Sequence, residues 1–256
     1  MSSVFITGSA DGLGRMAAQR LVALGHQVVL HGRDGARAAD ALAAVPGART
    51  ALSADLASIE QTRSLAEKVN QAGPFDAVIH NAGVGYQEPR IETVDRLEHV
   101  FAVNVLAPYL LTALIERPRR LIYLSSGMHR GGTLELDDLQ WTRRRWNGAQ
   151  AYSDSKLMDA MLAFAVARLW PDVCSNAVDP GWVATRMGGH GAPDDVAAGV
   201  ETQVWLAADD DSAATVSGRY LYHQRSRETH PAVSDSHAQD RLLHALGHLS
   251  GEVLAG

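Results

Sequence analysis

Short apolar runs and longer amphipathic stretches alternate along the chain of 256 residues. The apolar runs are rich in β-branched and aromatic residues and are followed by small or polar residues, which is typical of strands. The predicted strands are residues 2–6, 27–31, 49–53, 75–80, 120–124, 173–178 and 217–222. A helix is predicted after the first strand, and further helices at 36–44, 58–70, 93–116, 151–169, 194–208 and 241–249. The alternation and the length fit one α/β domain with a full apolar core.

A glycine-rich turn follows the first predicted strand and leads into an alanine-rich helix. Gly8 and Gly12 permit backbone conformations that side chains would block, and Gly14 lets the helix pack on the strand. The N–H groups at the helix start then face the pyrophosphate of a dinucleotide. An ordinary glycine turn is the alternative, because the spacing differs from Gly-x-Gly-x-x-Gly. The expected cofactor-binding residues are Thr7, Gly8, Ser9, Asp11, Gly12, Leu13, Gly14 and Arg15.

The second predicted strand indicates which dinucleotide is bound. Such sites present their ribose-reading residue near this strand's end, where the chain has Gly32, Arg33 and Asp34. The planar guanidinium of Arg33 suits a 2′-phosphate, and Arg15 adds a second positive charge. The sequence therefore favours NADP(H), with NAD(H) as the alternative. Asp34 either neutralises Arg33 or caps the next helix, and capping is favoured because an alanine-rich stretch follows.

Small and polar residues also follow the third and fourth predicted strands. Asp55 and Leu56 come after the third strand, and Asn81, Ala82 and Gly83 come after the fourth. Ligands of open α/β sheets bind in the crevice at the carboxyl ends of the strands, so we expect these residues to line the cofactor site. The alternative for Asp55 and for the Asn-Ala-Gly segment is an ordinary turn.

The predicted helix at 151–169 carries Tyr152 and Lys156, four residues apart. Because this spacing is just over one turn, both side chains lie on one helix face. A nearby ammonium favours the phenolate and moves the tyrosine pKa from about 10 toward the working range. The alternative is a packed ring beside a solvated charge. Ser126, after the fifth strand, would project into the same crevice, where its hydroxyl can hold a carbonyl oxygen.

The long apolar helix predicted at 93–116 contains Asn104 and, four residues later, Pro108. Proline has no N–H group, so the Asn104 carbonyl loses its helical partner and the helix should bend. A free carbonyl beside a polar side chain can hold a water, and that water would relay protons from Lys156 if the two residues are adjacent. The alternative is a tolerated kink in which Asn104 is satisfied within the core.

The charge balance excludes one class of partner. With 23 Lys and Arg against 29 Asp and Glu, the net charge is -6, so the basic surface that nucleic acid needs is absent. The single cysteine, Cys174, excludes an intramolecular disulfide and suits a reducing cytoplasm. No signal peptide and no apolar run of membrane-spanning length is found. We therefore expect a cytoplasmic protein that binds neither nucleic acid nor membranes.

These motifs, in this order and across nearly the whole chain, resemble the short-chain dehydrogenase/reductase family. They are the glycine turn at 7–15, Asn81-Ala82-Gly83, Asn104, Ser126, Tyr152-x-x-x-Lys156, and Asp179-Pro180-Gly181 with Thr185. The resemblance implies a single Rossmann-type doubly wound domain over 1–256, with about seven parallel strands and helices on both faces. It places the cofactor-binding part at about 1–125 and the catalytic and substrate part at about 126–256.

The resemblance also implies an oxidoreductase that transfers a hydride between a nicotinamide cofactor and the carbonyl or alcohol carbon of a small or lipid-like aldehyde or ketone. Its catalytic tetrad would be Asn104, Ser126, Tyr152 and Lys156. Tyr152 gives or takes the proton, and Ser126 orients the carbonyl. Lys156 lowers the tyrosine pKa and holds the nicotinamide ribose, while Asn104 anchors the water relay.

The loop after the sixth strand completes the implied cofactor site. The expected contacts are Pro180, Gly181, Val183 and Thr185, with Thr185 at the family position that touches the carboxamide. Four bulky residues are candidate walls of the substrate pocket, although such residues more often belong to the core. They are Met128, Trp146, Trp182 and Met187.

The interval between Ser126 and Tyr152 is longer than in the standard pattern of the family. With Ser125-Ser126-x-x-His129, this insertion is similar to the retinol-dehydrogenase-like branch. The insertion leaves open which of the two serines faces the substrate, and Ser126 matches the family position. Family members commonly pair the Asn104 helix and the Tyr152 helix across a dimer interface, so a dimer or tetramer is expected.

Two other functions fit the same fold. One is a dinucleotide-binding sensor or regulatory protein, and the other is an epimerase or dehydratase that uses tightly held cofactor. Histidines recur every seven residues at 223, 230, 237 and 244, which raises the question of a metal site. No cysteine accompanies them and Pro231 interrupts any continuous helix, so no metal is expected.

Overall fold

The computed structural model describes residues 1–254 and has one α/β domain. The strands are β1 Ser3–Ile6, β2 Gln27–Gly32, β3 Thr50–Ser53, β4 Ala77–His80, β5 Arg120–Leu124, β6 Cys174–Asp179, β7 Arg219–Tyr222 and β8 Arg225–Ser226. The helices are α1 Gly12–Ala23, α2 Gly35–Ala44, α3 Ile59–Ala72, α4 His99–Phe101, α5 Ala107–Leu114, α6 Gly148–Leu169, α7 Val196–Ala208 and α8 Ser236–Ser250. Single-turn 3₁₀ segments occur at Gly127–Gly131, Leu136–Asp138 and Pro231–Val233.

The strands form one sheet in the order β3-β2-β1-β4-β5-β6-β7-β8. Neighbouring strands from β3 to β7 are parallel, and this confirms the predicted doubly wound architecture. The sequence did not predict β8, which is two residues long and pairs antiparallel with β7 at the edge. Strand order reverses between β1 and β4, because the chain winds first to one side of β1 and then to the other.

The side chains of β1 alternate between two apolar layers, as a strand buried on both faces requires. Val4 and Ile6 pack with residues of α1, α2 and α7 on one face. Phe5 packs on the other face with residues of α3, α5, α6 and α8. The sheet is therefore covered on both sides, and its ligand-accessible edge is the one formed by the strands' carboxyl ends.

The long helix predicted at 93–116 begins later and is irregular at its centre. Glu98 caps the helix by accepting hydrogen bonds from the Val100 and Phe101 N–H groups, at 2.9 and 2.8 Å. A π-helical segment, Ala102–Leu106, then joins α4 to α5. The segment surrounds Asn104 and ends just before Pro108, so the predicted irregularity is confirmed and takes the form of a wider helical turn.

Helix α8 covers part of the helical layer that contains α6. Arg168 of α6 donates to Gln239 of α8 at 2.9 Å, and Leu242 and Leu246 are fully buried in the same apolar layer. Just beyond the helix, the Tyr109 hydroxyl of α5 donates to the Glu252 carbonyl at 2.8 Å. The helix is longer than the predicted 241–249 because Asp235 caps it. In residues 1–254 no helix has the length and apolarity to cross a bilayer.

Candidate active site

The glycine turn between β1 and α1 lies against the loop that follows β4. Gly8 has φ +62°, and a Cβ atom there would lie 2.8 Å from the Ala82 Cα atom. A Cβ atom on Gly14 would overlap the Asn81 side-chain amide. Both positions therefore exclude side chains. The two segments meet where strand order reverses, which is where doubly wound sheets bind ligands.

Thr7 and Asn81 tie these two segments together. The Thr7 hydroxyl accepts hydrogen bonds from the N–H groups of Asn81 and Ala82, both at 3.0 Å. The Asn81 side chain donates to the carbonyls of Thr7 and Gly8 at 2.9 and 3.0 Å. These side chains are committed to holding the turn, so they shape the predicted cofactor site.

His31 of β2 holds the glycine turn through a hydrogen bond, and the sequence analysis did not predict this role. Its Nδ1 atom accepts a hydrogen bond from the Gly8 N–H group at 3.0 Å. The ring's other nitrogen must then carry the proton, which it donates to the Ala54 carbonyl at 3.0 Å. Burial lowers the pKa of His31 to about 4, so the ring is neutral at pH 7. A histidine inside an apolar strand was the available signal. Ser9, also buried, accepts a hydrogen bond from the His31 N–H group.

The rim of the turn carries exposed charges. Asp11 caps α1 by accepting from the Gly12 N–H group, and its carboxylate lies 3.8 Å from Arg15 and 3.7 Å from Arg37. Arg33 is 79% exposed at the end of β2 and lies 3.4 Å from the Asp34 carboxylate. Asp34 also caps α2, as predicted. Arg15 and Arg37 thus share Asp11 at the rim of the turn, and Arg37 was not predicted.

The remaining predicted cofactor contacts lie at the ends of β3 and β6. Asp55 is exposed and accepts a hydrogen bond from the Ala57 N–H group, while Leu56 is buried. In the loop after β6, Val183 is buried and Gly181 has φ +84°. A Cβ atom on Gly12 would lie 3.8 Å from the Thr185 methyl carbon, so this loop closes against the glycine turn. Leu13 of α1 and the Pro180 carbonyl lie against Gly199 of α7, and Gly83 lies beside Asn104 and Lys156.

Tyr152 and Lys156 lie side by side on α6, which Asn147 caps. The Lys156 ammonium is 5.7 Å from the centre of the Tyr152 ring. It donates to the Leu124 carbonyl and to Asp159 Oδ2, each at 2.7 Å. Asp159, three residues after Lys156 and 2% exposed, was not anticipated from the sequence. An acid at i+3 from the lysine within an apolar stretch was the signal.

Asn104 is adjacent to Lys156. Its side-chain oxygen accepts from the Val84 N–H group at 2.8 Å, and its nitrogen donates to the Val84 carbonyl and the Ser155 hydroxyl at 3.1 and 3.0 Å. A Cβ atom on Gly83 would lie 3.4 Å from the Asn104 oxygen and 3.6 Å from the Lys156 nitrogen. The loop after β4 is therefore pinned beside the lysine.

The two serines after β5 have different environments. The Ser125 hydroxyl is buried and donates to the Lys156 carbonyl at 2.7 Å, so it is committed to α6. The Ser126 side chain is partly accessible, accepts a hydrogen bond from the Met128 N–H group at 3.3 Å, and lies near enough to Tyr152 to lower its pKa. Ser126 is therefore the serine that shares the crevice with the tyrosine hydroxyl.

The net pKa of Tyr152 is raised above the ordinary tyrosine value. Burial is the largest cause, and the carboxylates of Asp159 and Asp179 add to the rise. Lys156 and the Ser126 side chain act in the opposite direction. The direction of the Lys156 effect is thus as predicted. The predicted net lowering is wrong, because burial of the phenol and nearby negative charge outweigh one ammonium that is itself paired.

The four candidate pocket residues differ in exposure and in their contacts. Met128 and Met187 are each 36% exposed, and Trp182 is 56% exposed with its ring N–H donating to the Gly188 carbonyl. Trp146 is partly buried, and its ring N–H donates to the Glu88 carbonyl. The Tyr86 ring lies edge-on to Tyr152 with centroids 5.8 Å apart, and it was not predicted. Within residues 1–254 no three potential metal-binding side chains cluster.

Comparisons with known proteins agree with this geometry. The family model described as short chain dehydrogenase matches residues 2–195. An uncharacterized oxidoreductase of Emericella nidulans is 42% identical, with 100% of both chains covered. Retinol dehydrogenase 14 of Homo sapiens is 30% identical over 94% of this chain and 83% of its own.

Solved structures show the same fold. An uncharacterized protein of Mycobacterium paratuberculosis superposes with a TM-score of 0.87 at 24% identity, covering 100% of this chain and 96% of that chain. At this identity the likeness concerns the fold alone. The family-model match and the two relatives carry the assignment. The chain therefore belongs to the short-chain dehydrogenase family, in its retinol-dehydrogenase-like branch.

Proposed function

We propose that the protein uses NADP(H) to interconvert a small or lipid-like aldehyde or ketone and the corresponding alcohol. That the chain is an NAD(P)-dependent oxidoreductase acting on carbonyl or CH–OH groups follows from its family. One observation carries the finer proposal. Ser126 lies near enough to Tyr152 to lower its pKa, and Lys156 lies on the next turn of α6 beside the loop that touches the glycine turn.

The residues around the glycine turn fit a dinucleotide. Gly8 and Gly14 leave a cradle that a Cβ atom would fill, and α1 is a twelve-residue helix whose first-turn N–H groups after Gly12, which Asp11 caps, have no partner within the helix. When bound there, the nicotinamide ring supplies or takes up the hydride. The loop carrying Thr185 lies against Gly12 and would cover the nicotinamide end.

The proposed chemistry assigns each polar side chain a part. In reduction the carbonyl carbon receives the hydride and the carbonyl oxygen receives the Tyr152 proton, which leaves an alcohol and a phenolate. Ser126 donates a hydrogen bond to that oxygen. Lys156 stabilises the phenolate that forms and holds the nicotinamide ribose, and the Asn104 backbone carbonyl anchors a relay water. Oxidation reverses these steps, with Tyr152 as the base.

The preference for NADP(H) rests on the arginines at the rim. Arg33 and Arg15 were predicted, and Arg37 adds a third guanidinium next to Asp11. A 2′-phosphate carries more negative charge than a 2′-hydroxyl, so it competes for these guanidiniums with Asp11 and Asp34. An exposed arginine such as Arg33 can leave a loose 3.4 Å ion pair at little cost.

The substrate class is proposed from the rim of the catalytic crevice. Met128, Trp182 and Met187 present partly exposed apolar surface, and Tyr86 faces the catalytic tyrosine. Apolar surface around two hydrogen-bonding hydroxyls suits a hydrophobic carbonyl compound. Trp146 lies behind this surface, where it is held by Glu88.

The organisation of the chain is also part of the proposal. Residues 1–125 would supply most of the cofactor site, and residues 126–256 the catalytic and substrate groups. Self-association into a dimer or tetramer through the Asn104 and Tyr152 helices would have to use surface beside α8, because α8 packs against α6. A cytoplasmic location is proposed from the single cysteine.

A turnover panel tests this function. Purified protein is mixed with NADPH or NADH and a series of short-chain and long-chain aldehydes and ketones, and nucleotide consumption is followed by absorbance. We expect turnover with NADPH and weaker turnover with NADH. Nucleotide that co-purifies without net turnover on any carbonyl would contradict the proposal and favour an epimerase or dehydratase. Nucleotide binding with no chemistry at all would favour a sensor.

A further inference from the structure

The buried acid Asp159 lies one helical turn beyond Lys156, and the family pattern quoted above gives it no part. Asp159 and Lys156 are 2% and 4% exposed, and their charged atoms are 2.7 Å apart. Two ions are costly to bury unless they are paired and hydrogen-bonded, and this pair meets that condition. The ammonium of the active-site lysine is therefore held by a carboxylate of its own helix.

The pairing limits what Lys156 can still contact. An ammonium has three N–H groups, and the bonds to Leu124 and Asp159 use two of them. One donor remains for groups in the crevice, on the side where the Tyr152 ring lies 5.7 Å away. Asp159 thus fixes the ammonium in one position as well as matching its charge.

The groups that face this pair come from several elements. Tyr152 shares α6, Tyr123 faces it from β5, and Asp179 lies at the end of β6. Behind Tyr123, the Thr112 hydroxyl links the Tyr123 hydroxyl and His80 at 2.7 and 3.2 Å. Burial lowers the pKa of His80 to about 3, so that ring is neutral. Lys156 is the positive charge acting on Tyr152, and two carboxylates oppose it.

Both members of the pair are ionised at neutral pH. Burial raises the pKa of Asp159 to about 6, which is still below 7. The Asp159 charge raises the pKa of Lys156. The Asp159 carboxylate therefore offsets part of the effect that the Lys156 ammonium has on the tyrosine hydroxyl, although the ammonium has the larger effect of the two.

We propose that Asp159 is a positioning residue which holds the Lys156 ammonium in place, offsets part of its charge and so biases the buried Tyr152 toward its protonated form, ready to donate to a carbonyl oxygen. This inference rests on the proposed function, since it assigns the site a preferred working direction. An enzyme does not change the equilibrium of its reaction. The protonation state of Tyr152 does set, at a given pH, which fraction of the enzyme molecules can catalyse reduction and which fraction can catalyse oxidation. A protonated Tyr152 is competent for carbonyl reduction, and the phenolate for alcohol oxidation.

The variant that tests this is Asp159→Asn, which keeps the side-chain volume and an oxygen for Lys156 while removing the charge. The uncompensated ammonium should lower the pH at which Tyr152 ionises by about one unit or more, which is a tenfold change in the phenolate fraction. Phenolate absorbance is titrated in each protein and corrected with the matching Tyr152→Phe protein. This readout requires no turnover.

Kinetics give the second readout. In Asp159→Asn the pH profile of alcohol oxidation should move to lower pH by the same amount, and the alkaline fall of carbonyl reduction should move with it. Asp154→Asn is the matched control. Asp154 is a second buried acid of α6, 4% exposed, and it lies 3.4 Å from Arg144 instead of Lys156. Its removal should leave the Tyr152 titration in place.

The outcomes separate the two claims. If the wild type reduces carbonyls and Asp159→Asn titrates like the wild type, the inference fails and the proposed function stands. If the titration shifts as expected but no carbonyl is turned over, the proposed function fails alone. If Asp159→Asn does not fold, the wild type decides: tyrosine ring-labelled protein studied by NMR should show Tyr152 ionising above the ordinary value of about 10. A midpoint below that value would overturn the inference.

Discussion

The two sides of the active site hold their charges in opposite ways. Around the glycine turn, Asp11, Arg15 and Arg33 are solvent-exposed and pair loosely, at 3.4 to 3.8 Å. On the catalytic side, Lys156 and Asp159 are buried and 2.7 Å apart. Exposed pairs contribute little, whereas removing one partner of a buried pair typically costs about 3–5 kcal/mol. Nucleotide selectivity can therefore change at the rim, while the chemistry depends on charges fixed inside the protein.

The largest effect is expected when the Tyr152 hydroxyl is removed. Tyr152→Phe keeps the ring and its edge contact with Tyr86 but deletes the hydroxyl. Turnover should fall by roughly 10²–10⁴-fold because the proton donor is lost, while nucleotide affinity stays unchanged in a fluorescence titration. Tyr109→Phe is the control, since its hydroxyl bonds to the Glu252 carbonyl away from the crevice. Retained activity in Tyr152→Phe would refute the mechanism.

A substitution in the glycine turn is expected to weaken nucleotide binding, which Tyr152→Phe leaves unchanged. In Gly14→Ala the new methyl group would meet the Asn81 amide and the Gly8 carbonyl, so the cradle must shift. Overpacking of about 1–3 kcal/mol corresponds to a loss of nucleotide affinity of roughly tenfold to a hundredfold. Calorimetric titration with NADPH measures it. Gly131→Ala is the control, because nothing lies within 4 Å of the added atom. Equal affinities in the two variants would show that the cradle is not the binding site.

The pH dependence of the free energy of unfolding tests the role of His31, which is buried against the glycine turn. Its folded pKa of about 4 lies below the unfolded value of about 6.5, so the unfolded chain binds a proton first. Stability is complete above pH 6.5 and falls as the pH drops toward 4. At pH 5 the loss from His31 is about 2 kcal/mol. Urea unfolding at pH 7 and pH 5 should show a smaller difference in His31→Gln than in the wild type. His80 supplies a similar loss in both proteins, and identical differences would contradict the assignment.

The smallest effect is expected at the rim. Arg33→Ala should weaken NADPH binding by about tenfold, through the loss of one charge-assisted contact, and leave NADH binding unchanged. Dissociation constants for both nucleotides give the answer. Arg117→Ala is the control, since Arg117 is a 41% exposed arginine that also forms a loose ion pair, 3.9 Å from Asp172. If Arg33→Ala weakens both nucleotides equally, the 2′-phosphate assignment is wrong.

The same contrast explains which features the sequence could predict. Gly8 and Gly12 have φ angles of +62° and +50°, which is a local backbone requirement, and Asp34 is a cap that acts three residues away, so short patterns reveal them. The alternating burial of β1 is equally local. His31 was missed because its role depends on a hydrogen bond with Gly8, which lies 23 positions earlier in the sequence and is brought next to His31 only by folding.

Around Tyr152 and Lys156 the sequence predicted the shared helix face but not the direction of the tyrosine pKa. The spacing of Tyr152 and Lys156 placed both on one helix face. The pKa of Tyr152 also depends on burial, on Asp159 and on Asp179 at the end of β6. The spacing of residues in the sequence does not show how these effects add. The late start of the helix at His99 has a similar cause. Glu98 caps it, and the Glu98 N–H group is held by Gln140, 42 residues further on.

The docking of α8 has a consequence for how the molecule is made. Leu242 and Leu246 close the apolar layer to which α5 and α6 belong, and Arg63 of α3 donates to the Ser250 carbonyl at the end of α8. During synthesis on the ribosome, α3, α5 and α6 emerge before α8. The apolar surface that they share is therefore exposed to solvent until α8 has been translated. Long-range contacts of this kind slow folding and leave partly made chains prone to aggregate. A chain that ends before α8 therefore exposes the apolar surface of α3, α5 and α6 that α8 covers in the complete fold.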